Sequence, residues 1–205
     1  LLLAPLAVNA GDGGPEATYR ITIENIATGF QPLSPAGVAV HNGRTDVWSV
    51  GSPASNAVAA VAEDANLPIF VGSYASASGV SDAFVGGGAP IGPGGSDSFE
   101  FDARPGSRVS LVSMLVNTND AFTGLDGVVL GGATEVFEVG AYDAGTEINN
   151  ELASHIPGPV GGNPFVRAPE AGVITHHAGI LGVGDIPAST AWTGPVARIT
   201  VERIG

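Results

Sequence analysis

Two stretches concentrate side-chain oxygens at spacings that could do chemistry. The first is Asn117-Thr118-Asn119-Asp120-Ala121-Phe122-Thr123-Gly124-Leu125-Asp126-Gly127, a polar run that follows an apolar one. The second is Tyr142-Asp143-Ala144-Gly145-Thr146-Glu147-Ile148-Asn149-Asn150-Glu151. Asp143 and Glu147 stand four apart with Gly145 between them, and glycine permits the tight turn that would aim both carboxylates at one point. A hard divalent cation such as calcium takes six to eight oxygens from carboxylates, carbonyls and water. Without one, converging carboxylates repel each other and their pKa values rise. The plainer alternative is that these Asp and Asn residues only make turns.

Other chemistries find less support. The four histidines are His41, His155, His176 and His177. His176 and His177 are neighbours on an expected strand, so they point to opposite faces and cannot easily share an ion. There is no Gly-x-Ser-x-Gly elbow and no His-Glu-x-x-His helix. Asp120 with Glu147 could form a glycosidase-like acid–base pair, but no cleft is legible around them. The glycine run Gly86-Gly87-Gly88 lacks the Lys-Ser/Thr and the helix of a phosphate loop. Trp48 and Trp192 could stack on sugars, although a core position is the simpler expectation. The chain is therefore expected not to be an enzyme.

Composition narrows the partners. The 205 residues carry 20 acidic and 7 basic side chains, a formal charge of −13. Phosphate binding needs clustered basic residues, so a nucleic-acid partner is not expected. Such a field suits divalent cations. With no cysteine in the chain, thiol catalysis, zinc–thiolate sites and disulfides are excluded. No apolar run is long enough to span a bilayer as a helix.

The elements that must position the two motifs read mainly as short strands. Thr18 to Ile26 alternates apolar and polar residues, as a half-buried strand does. Ala36–His41 and Asp46–Val50 read as strands joined through Asn42-Gly43, a hairpin signal. Ser52 and Pro53 open one helix, whose apolar face holds Val58, Val61, Ala62 and Ala65 and which ends at Asn66-Leu67-Pro68. Residues 72–95, rich in Gly, Ser and Ala, read as a long loop. Ser96–Phe101, Arg108–Val116, Thr134–Val139, Gly172–His177 and Pro195–Arg203 complete about eight strands. Val109 to Val116 is apolar enough to be central. The fold expected is an all-β antiparallel β-sandwich with one short helix and long loops.

The run Ser113 to Phe122 with Gly124-Leu125, and Tyr142 to Glu147 with Asn149-Asn150-Glu151, resemble the two central motifs of the spondin N-terminal domain family in its prokaryotic form. Tyr19 to Asn25, Val38 to Asn42, Pro53-Ala54-Ser55 and Gly194 to Arg198 extend the resemblance over about residues 17–203. It implies a secreted, C2-like sandwich with a calcium ion near one end, in a family whose animal members serve matrix and adhesion. The implied calcium carboxylates are Asp120, Asp143 and Glu147. Animal relatives have Asp where Glu147 stands, and they contain cysteines, so their partner interactions are not carried over.

Residues 1–14 form an apolar tail and glycine-rich joint ahead of a sandwich domain over 15–205. Leu1 to Ala10 looks like the end of a signal peptide, with Val8 and Ala10 as the small residues before a cleavage site. It could also add a strand to the sheet of a neighbouring copy. The function expected is an extracellular calcium-binding structural protein that self-associates through residues 1–10 into filaments. The alternative is a monomeric calcium-dependent adhesion module for matrix, glycan or lipid surfaces.

Overall fold

The computed structural model describes residues 15–161 and 166–205. The tail over residues 1–14, and with it the expected donor strand and signal-peptide remnant, lies outside the described residues. Ten strands form two antiparallel sheets with two short α-helices, so the expected all-β sandwich is found with more strands than sequence patterning counts and a second helix. The strands are β1 (Ala17–Asn25), β2 (Ala36–His41), β3 (Val80–Gly86), β4 (Ser96–Ala103), β5 (Arg108–Met114), β6 (Ala121–Val129), β7 (Glu135–Val139), β8 (Tyr142–Asp143), β9 (Thr175–His176) and β10 (Ala197–Arg203). The helices are α1 (Asn56–Asp64) and α2 (Leu67–Tyr74). No helix among the described residues is long and apolar enough to cross a membrane.

One sheet runs β4-β1-β10-β7 and the other β3-β2-β5-β6-β8-β9. In β1 the period-2 pattern acts as expected: Ala17, Tyr19, Ile21 and Ile23 point into the core, while Arg20 reaches Glu100 on β4 and Glu202 on β10 across the outer face. The six-stranded sheet is buried on both faces. Val38, Val40, Val109 and Leu111 face the other sheet. Ala39, Val112 and Phe122 face α1 and α2. This accounts for β2, whose six residues are all buried. Gly37 is required there, because a Cβ would stand 2.7 Å from the Phe70 ring of α2.

Several expectations are corrected. The Asn42-Gly43 turn leads to no hairpin, since β2 pairs with β3 and β5 and residues 46–50 are irregular. Val47 and Trp48 are buried from a loop instead, and Trp48 Nε1 donates to the Leu125 carbonyl at 3.2 Å. The N-cap of α1 is Ser55, not Ser52; its hydroxyl accepts from Val58 N. Pro68 does not stop helical structure but sits in the first turn of α2, where its missing N–H costs nothing. Residues 72–95 are not all loop, because β3 lies within them.

The sandwich is open along one side. Strands β3 and β4 are edge strands of different sheets. Between them runs a groove of about 740 Å³ whose lining includes Val80, Asp82, Phe84, Glu100, Phe101 and Asp102. Glu16, just ahead of β1, also lines it.

Candidate metal centre

The two motifs meet at one end of the six-stranded sheet. Strand β5 ends at Met114, and residues 115–120 turn the chain into β6. Thr118 organises that turn: its hydroxyl donates to the Leu115 carbonyl at 2.6 Å and accepts from Ala121 N at 3.1 Å. This is the local side-chain-to-backbone bonding that favours Thr and Asn in turns. β6 then pairs with β8 in the register Ala121↔Asp143 and Phe122↔Tyr142. Residues 20 and 22 positions apart are thereby made neighbours. Strand β6 was not legible as such, because Thr123, Gly124, Asp126 and Gly127 read as loop. Gly124 is needed for the pairing itself, since a Cβ there would lie 1.9 Å from the Leu111 carbonyl oxygen.

Asp120 is fully buried and clamps the second motif. Its Oδ2 accepts from Thr146 N and Glu147 N, both at 2.9 Å, and from Thr146 Oγ1 at 3.2 Å. Asn119 adds donations to the carbonyls of Glu147 and Ile148 at 3.3 Å. Gly145 makes the turn with φ of +69°, and its N–H donates to Asp143 Oδ1 at 2.6 Å. The other oxygen of Asp143 accepts from Asn149 Nδ2. The tight turn expected between Asp143 and Glu147 is therefore present.

What these contacts leave over is informative. Asp120 Oδ1 and both carboxylate oxygens of Glu147 are buried with no hydrogen-bond partner. Buried polar groups are paired in the great majority of cases, and leaving one unpaired is costly. Burial, reinforced by the nearby charge of Asp143, pushes the Asp120 carboxyl up to about 7. Burial also pushes Glu147 up to about 7, against the opposing pull of Arg167.

Arg167 is the residue of this cluster that sequence reasoning missed. Its Nε lies 3.0 Å from Glu147 Oε1 and 3.6 Å from Glu63 Oε2, and its Nη2 pairs with Asp64 Oδ1. The Glu147 contact is an ion pair without hydrogen-bond alignment, and Arg167 Nη1 is itself buried and unpartnered. The only signal was an isolated arginine in an acidic chain.

All three expected calcium ligands thus belong to one loop cluster, but their side chains are not arranged alike. Asp143 spends both oxygens on local donors, whereas Asp120 and Glu147 keep three free. Among the described residues, no group of three or more His, Asp or Glu side chains has the spacing to hold a metal ion as the side chains stand. The three unpartnered oxygens nonetheless suit a hard cation, because all are carboxylate oxygens, whereas the fourth unpartnered atom, Arg167 Nη1, can only donate.

The other candidates have structural roles. His41 is buried with Nε2 at 3.0 Å from Ser110 Oγ, and burial lowers its pKa. His177 packs on Trp192 with centroids 5.2 Å apart, while His176 packs on Tyr142. Trp48 and Trp192 are both buried, as expected of core residues. A neighbouring cavity, lined in part by Asn119, Asn149 and Glu151, holds about 40 Å³. No model of a known protein family matches the chain, and no curated protein matches it.

Proposed function

We propose that the chain is an extracellular calcium-binding structural domain of the spondin type, without catalytic activity. The observation that carries this reading is the set of three buried, unpartnered oxygens on Asp120 and Glu147. A calcium ion would satisfy them and offset the burial, and the lesser repulsion, that raise both carboxyls. Asp120 and Glu147 would hold the ion directly. Asp143 would complete the set by exchanging the Asn149 amide for the metal. Such an ion would tie the 115–120 turn to the 143–151 loop, so it would act on stability and on the shape of this end of the sandwich. Non-specific attraction of calcium by a chain of charge −13 is excluded by substituting only these residues.

The test is thermal unfolding with calcium and with chelator. At calcium about 100-fold above Kd, binding adds about 2.7 kcal/mol, which is roughly 5–10 °C in a domain of this size. The double variant Asp143→Asn, Glu147→Gln is expected to abolish the difference. A wild-type curve indifferent to chelator would defeat the proposal.

A second reading, self-association into filaments through residues 1–10, draws on the open seam. Backbone groups on the free edges of β3 and β4 border one groove, a place where a strand from another copy could add. Removing residues 1–10 and imaging the product by electron microscopy tests it. Filaments that persist, or an intact chain that never polymerises, would rule it out.

A further inference from the structure

We infer that Arg167 is a resident counter-cation that calcium must displace from Glu147, and that it thereby sets the affinity of the site. This rests on the calcium reading above.

Arg167 stands beside the one carboxylate of the cluster that has no hydrogen-bond partner on either oxygen. The contact is held by charge alone: Nε is 3.0 Å from Glu147 Oε1 but not aligned to donate. A guanidinium binds a carboxylate best through paired, in-plane N–H donors, and this one does not. A calcium ion at about 2.3–2.6 Å from the same oxygens would place two positive charges within a few ångströms of the guanidinium. In a site this buried the two cations exclude one another.

Arg167 also has somewhere to go. Glu63 and Asp64 close helix α1. Two negative charges at a helix C-terminus oppose its dipole, so this end of α1 needs a cation whether or not calcium is bound. Arg167 Nη2 already pairs with Asp64. When calcium takes Glu147, the guanidinium stays with Glu63 and Asp64. Calcium binding at the two loops is therefore felt at the end of α1.

The experiment is calcium titration by calorimetry on chelator-treated protein, comparing wild type with Arg167→Gln and Arg167→Lys. Removing the competitor is expected to tighten calcium binding by about tenfold or more, the usual scale of coupling between two sites. It should also lower the melting temperature of the calcium-free protein. Arg167→Lys, which keeps the charge, is expected to bind as wild type does. A purely packing role for Arg167 would affect both variants alike and would not tighten binding. Equal or weaker affinity in Arg167→Gln overturns the inference while leaving the calcium site standing. If none of the three proteins binds calcium, the calcium reading falls and this inference with it. Should Arg167→Gln fail to fold, the side-chain nitrogen signals of Arg167 in the wild type decide by NMR. They are expected to move on calcium addition, and their staying fixed overturns the inference.

Discussion

Asp120 and Glu147 on one side, and Glu151 on the other, show that burial does not by itself decide the state of a carboxylate. All three are buried, and they lie within or against the same 143–151 loop. Burial would raise Glu151 too, but backbone N–H groups outweigh it and hold the carboxyl below its usual value. Leu181 N and Val183 N donate to it at 2.5 and 2.7 Å, with Gly184 N at 3.5 Å. Glu151 is a strap that pins the 181–184 turn. Asp120 has three donors, but all address one oxygen, and Glu147 has none. A carboxylate whose oxygens are filled by protein is structural, and one whose oxygens are left open invites a cation.

The contrast can be broken most forcefully at Asp120. Asp120→Ala leaves Thr146 N and Glu147 N without their acceptor and unties the two motifs. We expect a loss of about 3 kcal/mol in urea denaturation, with no response to calcium. A loss below about 1 kcal/mol would mean that the clamp is dispensable.

Acidity is the next lever. With folded-state values raised to about 7, Asp120 and Glu147 hold protons that the unfolded chain has already released near the ordinary carboxylate range. Over that window the native state binds more protons, so stability falls as pH rises. Without calcium the protein should be more stable near pH 5 than near pH 7.5, by roughly 2–4 kcal/mol. Calcium should flatten the difference. A calcium-free protein with no such decline would contradict the open-oxygen account.

Glu151 gives a smaller effect with the opposite slope. Its folded value is lowered, so its contribution is present above the unfolded carboxylate range and is lost as pH falls through the folded value. Glu151→Gln should cost about 1–2 kcal/mol at neutral pH and leave calcium binding intact. If it abolished calcium binding, the division between strap and site would be wrong. Smallest of all, Arg20→Ala removes exposed ion pairs to Glu100 and Glu202, and should leave the urea denaturation midpoint almost unchanged.

Much of the sandwich was legible wherever one face of a strand is wet. The alternation in β1 and β10 and the apolar run in β5 announced themselves. Strand β6 did not, because its polar residues and Gly124 mimic a turn; the close approach of Leu111 that demands this glycine is a tertiary fact. Helix α2 was hidden by Pro68, which ends helices in their interior yet suits a first turn. Asp120, Asp143 and Glu147 stand in two motifs that the sequence singles out, and the register of β6 with β8 brings those motifs together. Arg167 was not legible, since its three acidic neighbours come from α1 and from Glu147, far off along the chain. Which carboxylate oxygens stay open was also beyond the sequence, for that depends on how Asp120 spends its donors.

The seam between β3 and β4 has a consequence for how copies of the molecule meet in solution. Its borders carry Glu16, Asp82, Glu100 and Asp102 against the single cation Arg104, so two such edges brought side by side repel. The acidic border thus opposes pairing of the free edges of two copies, the use to which charged side chains on edge strands are put. Concentrated salt, by screening these charges, would weaken that repulsion.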